Sequence, residues 1–130
     1  MKKLLVISLM SFLLLSVAVY AAPKDKAKIA VAANGKTAAA PVSNLAARSP
    51  YYLLFDENGK LTEVLDNPHK EASGGAGSLV VNFLSQKGIT VIVAETFGNR
   101  MIAAMKNKGI SHFEFKGTAD EAVKKVLMLK

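Results

Sequence analysis

Residues 28–33, Lys-Ile-Ala-Val-Ala-Ala, form an apolar run without alternation that stops at Asn34-Gly35. This predicts a short strand covered on both faces and closed by a turn. Residues 36–49 show neither a two-residue nor a 3.6-residue period and are rich in small side chains, so they read as a loop. After Pro50, the string Tyr51-Tyr52-Leu53-Leu54-Phe55 predicts a second strand. Asp56-Glu57-Asn58-Gly59 follows as a hairpin turn, and the alternation of 60–65 predicts a half-buried returning strand. A second loop spans 66–74.

From Gly75 the period changes. Leu79, Val80, Phe83 and Leu84 share one helical face, and Gly88 stands where a helix C-terminus is capped. Residues 89–94, Ile-Thr-Val-Ile-Val-Ala, are the β-branched run expected at the centre of a sheet, with Val91 and Val93 buried. Phe97-Gly98-Asn99 turns into a helix whose apolar positions are Met101, Ile102 and Met105, ended by Lys108-Gly109, and 110–115 predicts a further strand. Thr118 with Glu121 three residues on predicts a capping box for a last helix packed through Ala122, Val123, Val126 and Leu127. The order is a strand, a hairpin, then helix and strand in alternation. It specifies an α/β domain with a mixed five-stranded sheet, one antiparallel hairpin and about three helices.

The first residues follow a different logic. Lys2 and Lys3 precede an almost wholly apolar stretch, 4–19, and small residues close it at Ala18, Ala21 and Ala22. That is the layout of a secretory signal peptide, with cleavage expected after Ala21. The run is short for a membrane span of ~20 residues, so an uncleaved anchor is the less favoured alternative. The expected organisation is a signal peptide at 1–21, a polar lead-in at 22–27 and one domain at 28–130, soluble in the periplasm or secreted. The formal charge of +7 falls by two lysines on cleavage, and the remaining basic residues are scattered rather than clustered. Nucleic-acid binding is not expected. With no cysteine, disulfides, zinc–thiolate sites and cysteine-ligated iron–sulfur clusters are excluded.

Candidate chemistry is sparse. Of the two histidines, His112 lies in a predicted strand and reads as packed or solvent-facing, whereas His69 sits in a loop near the glycines. A transition-metal site needs three or four convergent ligands. Only His69, Glu71 and Met101 or Met105 present themselves, and the methionines fall at core spacing. Gly74-Gly75-Ala76-Gly77 opens a helix. Glycines there allow close backbone approach, and free N–H groups attract anions. A tight turn is the competing explanation, and the Lys-Ser/Thr of a phosphate-binding loop is missing. Asp56, Glu57, Glu63 and Asp66 cluster in or beside the hairpin. Ser43, Ser49, Ser73 and Ser78 have no histidine or acid at a recognisable spacing, so catalysis is not expected.

Several local strings together resemble a known family. Residues 42–56, Val-Ser-Asn-Leu-Ala-Ala-Arg-Ser-Pro-Tyr-Tyr-Leu-Leu-Phe-Asp, are similar to its Ser-x-His-Phe-Gly-Arg-Ala-Pro-Tyr-Phe segment. Asn67-Pro68, Gly74-Gly75-Ala76-Gly77, residues 94–98 (Ala-Glu-Thr-Phe-Gly), Lys108-Gly109-Ile110 and residues 117–122 (Gly-Thr-Ala-Asp-Glu-Ala) match later positions. The family is that of dinitrogenase iron-molybdenum cofactor biosynthesis, with NifX-like and NifB C-terminal-like domains, and this chain resembles an exported variant of it. The resemblance implies a three-layer ribonuclease H-like fold and a carrier role for a metal cluster. Nucleases of that fold carry acids on the first strand, and 28–33 has none. Leu45-Ala46-Ala47 stands where many relatives have His-Phe-Gly, so a histidine able to ligate a cluster is replaced. The implied cofactor stays open between an iron-containing cluster and another transition metal.

Two functions follow as expectations. The first is a periplasmic, non-catalytic module binding a metal cluster, a metal ion or a small anion among Asn34, Ser43, Arg48, Gly74, Gly75 and Gly77, with His69 as the metal ligand. The second is a cofactor-free interaction domain for an exported redox enzyme.

Overall fold

A computed structural model describes residues 27–129. The expected signal peptide and residues 22–26 of the lead-in lie outside these described residues. The elements are β1 (Ile29–Ala33), β2 (Tyr51–Phe55), β3 (Leu61–Asp66), α1 (Ala76–Ser85), β4 (Val91–Ala94), α2 (Asn99–Asn107), β5 (Ser111–Glu114) and α3 (Ala119–Met128). The sheet order is β3-β2-β1-β4-β5. β1 pairs antiparallel with β2, which pairs antiparallel with β3, while β1–β4 and β4–β5 are parallel. Only β2 therefore runs against the rest. The turn between β2 and β3 is tied by Asp56, whose carboxylate accepts from the Asn58 and Lys60 N–H groups at 2.9 Å each.

All five residues of β1 are buried, because each face of the strand meets a separate core. Ala30 and Ala32 pack with Tyr52, Leu54 and Ile92 under α1 and α2. Ile29, Val31 and Ala33 pack with Leu53, Phe55 and Val93 under α3. Cover on both faces is why the sequence of β1 shows no alternation. The centre of the sheet is thus β1, not the 89–94 run. β4 lies beside it, with Val93 buried and Val91 only half-buried. The mixture of alanine on one face with larger residues on the other lets the two helices of the first layer approach the sheet closely.

One helical face also differs from expectation. Val81 is buried in α1 and Leu79 is 42% exposed, because the packed stripe runs through Ala76, Val80, Val81 and Leu84. Helices α1 and α2 both end in paired turns closed by a glycine at positive φ. Gly88 N–H reaches Ser85 O and Ile89 N–H reaches Leu84 O. Gly109 N–H reaches Lys106 O and Ile110 N–H reaches Met105 O. These are Schellman caps, with Ile89 and Ile110 buried as the accompanying apolar contact.

The 36–49 segment is tied down rung by rung. It forms isolated bridges from Val42 to Ala33, from Pro41 to Thr118 and from Leu45 to Thr96. Ala38, Ala40 and Val42 join the core on the α3 side, whereas Ala46 and Ala47 pack on the opposite side with α1 and α2. The segment therefore crosses from one face of the sheet to the other, and that crossing decides which of its residues reach the same place.

Two predictions follow. Val93→Asp places an uncompensated carboxylate between β4 and α3 and is expected to cost about 3–5 kcal/mol of unfolding free energy in a urea titration. Glu121 and Asp120 titrate below their ordinary values, Glu121 through the Thr118 N–H and hydroxyl it accepts from and Asp120 first through the Thr118 hydroxyl. Groups so lowered stabilise the fold above their unfolded pKa values and lose that effect as pH falls through the folded ones. The melting temperature should therefore decline below about pH 4, and Glu121→Gln should flatten that decline.

Candidate functional site

The three helix N-termini are treated differently. At α3 every early amide has an acceptor. Ala119 N–H donates to Ala40 O, Asp120 N–H to Ala38 O, Glu121 N–H to the Asp120 carboxylate and Ala122 N–H to Thr118 O. The Glu121 carboxylate accepts from the Thr118 N–H at 3.0 Å, completing a capping box. Two acidic residues lie in this first turn. Helices α1 and α2 start instead at Gly75 and Gly98, without a side-chain cap and without an acid in the first turn. Leu79 N–H and Ile102 N–H are the first in each helix to find an acceptor. Among the described residues, the amides of Ala76, Gly77, Ser78, Asn99, Arg100 and Met101 have no protein partner.

These two bare ends meet. A Cβ on Gly77 would lie 2.8 Å from Met101 Cβ and 3.2 Å from Met101 Cα, a separation that only glycine permits. Gly75 holds φ 69°, so a side chain there would be strained. The result is an open cavity of about 210 Å³ lined by Ala47, Arg48, Gly75, Ala76, Gly77, Ser78, Gly98, Arg100 and Met101. Its walls follow the carboxyl ends of β1, β3 and β4, where ligands of α/β sheets commonly bind. The donors facing it are backbone N–H groups, the Ser78 hydroxyl and two guanidinium groups. It contains no carboxylate, imidazole or thiol, and its one sulfur, in Met101, belongs to a side chain only 2% exposed. Such a lining suits an anion by charge and hydrogen bonding and gives little for direct metal coordination.

Arg48 is held in place from two directions. Its Nη1 donates to Lys70 O at 2.8 Å and to Ala72 O at 2.6 Å, pinning the 67–72 loop. Beneath it, Asn67 is 5% exposed, and its Nδ2 shares two hydrogens among Ala47 O, Ser49 O and Tyr52 Oη at 2.9–3.1 Å. Asn67 Oδ1 accepts from His69 N–H, and the Tyr52 hydroxyl donates to Ala46 O at 2.6 Å. Burial pushes the Tyr52 phenol well above its usual range, so it stays a neutral donor. This network fixes the backbone on both sides of Arg48.

Of the residues expected from sequence, Arg48, Gly75 and Gly77 line the cavity together. The others lie elsewhere. Asn34 is exposed beyond β1 with its N–H on Pro41 O, and Ser43 is buried where the crossing segment pairs with Ala32 and Glu95. Both precede the point at which that segment reaches the α1 side. Gly74 is exposed and outside the lining. His69 stands edge-on to Phe83, with ring centroids 6.1 Å apart, and does not line the cavity. No group of three or more His, Asp or Glu able to hold a metal ion occurs among the described residues. His112 is exposed and edge-on to Phe97. Met105 is packed in the core. Sequence reasoning missed Arg100, Gly98 and Ser78. The available signal was an arginine in a first helical turn that lacks any acid.

Asn67→Ala removes the buried amide and leaves the Ala47 and Ser49 carbonyls without a donor. A stability loss of about 2–4 kcal/mol is expected in chemical denaturation, with faster hydrogen exchange at the His69 amide. An unchanged midpoint would show that water replaces the amide at no cost.

The fold and sequence have relatives. The orange protein from Desulfovibrio gigas, solved in its apo form, superposes with a TM-score of 0.75 at 24% identity, covering 82% of this chain and 91% of that one. A Thermotoga protein named as a candidate NifB and solved by NMR superposes at 0.67 with 30% identity, covering 77% and 86%. A candidate dinitrogenase protein from Methanocaldococcus jannaschii superposes at 0.57 with 12% identity over 81% and 91%. Among curated proteins, none matches the chain. The family model described as dinitrogenase iron-molybdenum cofactor matches residues 27–129, and by that match the chain belongs to this family.

Proposed function

We propose that the protein is a non-catalytic carrier that holds an anionic ligand, such as the anionic face of a metal–sulfur or metal–oxo cluster, in the cavity between the starts of α1 and α2. The observation that carries this reading is the convergence of two uncapped helix N-termini with Arg48 and Arg100 on one open depression. Each helix end contributes a partial positive charge and unpaired N–H groups. The guanidinium forks add full charges suited to oxyanions. Membership of a cofactor family supports cluster cargo, and a lining without carboxylate, imidazole or thiol supports holding it without a side-chain-to-metal bond. Leu45, standing where relatives have a histidine, fits the same mode.

The single reversed strand and the order β3-β2-β1-β4-β5 support grouping the fold with the ribonuclease H-like proteins. Export is part of the proposal and rests on the sequence of residues 1–21. Among the described residues, no helix is long and apolar enough to cross a membrane.

Titration of the purified protein with molybdate, followed by amide NMR shifts, is the test. The amides of residues 76–78 and 99–101 should move, and the effect should weaken with added salt. Arg100→Ala should lower the affinity about fivefold or more, whereas His69→Ala should leave it unaltered. Shifts confined to His69 and its neighbours would place the ligand elsewhere, and no shift at either helix start would defeat the reading.

A further inference from the structure

Of the nine glycines in the chain, all but Gly74 and Gly98 either adopt a positive φ or have a neighbouring atom within 3.1 Å of where a Cβ would stand. Of those two, only Gly98 lines the cavity. Its backbone is extended, φ −72° and ψ 152°, a conformation open to every residue. A Cβ built there meets nothing within 4 Å. It is also the N-cap of α2, a position where serine, threonine, aspartate or asparagine would accept a hydrogen bond from the first turn. The extended φ/ψ already suits such a cap. Backbone geometry and packing therefore do not require this glycine, and helix stability would favour a serine over it by roughly a few tenths of a kcal/mol.

Resting on the anion cavity described above, we propose that Gly98 is kept by the ligand and not by the fold, as the specificity-determining residue of the site. The bound anion is the missing N-cap of α2. A serine at position 98 would turn its own oxygen onto the Arg100 or Met101 N–H, taking the donors that the ligand requires. Any Cβ would stand in the mouth through which a broad anionic face reaches the backbone. Arg100, which donates to no protein acceptor among the described residues, and Arg48, whose Nη1 alone is engaged, then close on the same ligand.

The test compares wild type, Gly98→Ser and Gly98→Ala by thermal melting without added anion and by titration with phosphate and with molybdate. Gly98→Ser should melt higher than wild type by about 1–2 °C while its molybdate dissociation constant rises about tenfold or more. Gly98→Ala adds a methyl group without a cap, and should weaken molybdate binding without the gain in melting temperature. Equal molybdate affinity in all three proteins overturns this proposal and leaves the anion cavity standing. A serine variant that melts no higher than wild type also overturns it, because the fold would then be what requires glycine. A wild type in which neither anion shifts the amides of residues 98–101 overturns both this proposal and the reading beneath it.

Discussion

A strand with no solvent on either face must find apolar cover above and below and backbone partners on both edges, and β1 imposes all four demands at once. β2 and β4 supply the edges, α1 and α2 cover one face, and α3 covers the other. An orphaned N–H or C=O in such a place costs as much as a lost hydrogen bond, so the chain leaving β1 cannot simply wander off. Its continuation is bonded to Ala32, then to Glu95 and Thr96 beyond β4, as it passes from the α3 side to the α1 side. That forced crossing delivers Arg48 to the cavity, and the buried Asn67–Tyr52 network fixes it there. The position of a surface arginine thus depends on the satisfaction of a buried strand.

The same molecule caps one helix fully and leaves two bare. The full cap at α3 shows that the chain has the means: a threonine, two acids and the carbonyls of a crossing segment. At α1 and α2 it places glycine instead, at a cost of roughly a few tenths of a kcal/mol each relative to a side-chain cap. Both bare ends open on one cavity, and both arginines of its wall lie there. Chance omission of caps would not concentrate them. At Gly75 the positive φ itself requires glycine, but at Gly98 the backbone would accept a side-chain cap, so the deficit there is better understood as part of the site.

Much of the fold was legible in the sequence because its elements obey local rules. The β2 run, the glycine-closed helix ends at Gly88 and Gly109, and the Thr118–Glu121 box each depend on residues within a few positions of one another. What sequence could not rank was cover. The 89–94 run is more β-branched than 28–33, yet β1 takes the centre, because alanine at 30 and 32 lets helices come close. Leu79 illustrates the same limit, since a helical stripe can be drawn through it or through Val81 and only the tilt of α1 against the sheet decides. For the site, Arg48, Gly75 and Gly77 were legible from glycine chemistry and charge. Asn34 and Ser43 were grouped with them because the fold implied by the resemblance would bring their loops to the same sheet edge, and the crossing of the segment from one face to the other separated them. Arg100 and Gly98 lie some twenty residues from the glycine turn, and the Gly77–Met101 contact that joins the two stretches has no local signature.

That contact also bears on how the cavity behaves. With Met101 Cβ only 2.8 Å from where a Gly77 side chain would begin, α1 and α2 have no slack to slide at their starts, and the methionine filling the gap is itself buried. The floor is accordingly close-packed, while among the described residues Arg100 at the rim has no protein acceptor and Arg48 is engaged through one nitrogen alone. A rigid set of aligned N–H dipoles needs no reorganisation when an anion arrives, which is where such sites gain their selectivity for charge. The guanidinium nitrogens that the Arg48 bonds leave over remain available to what is bound. The division suits the carrier proposed above: the backbone amides would recognise negative charge without regard to identity, and the two arginines, with the space left by Gly98, would decide how large a face is admitted.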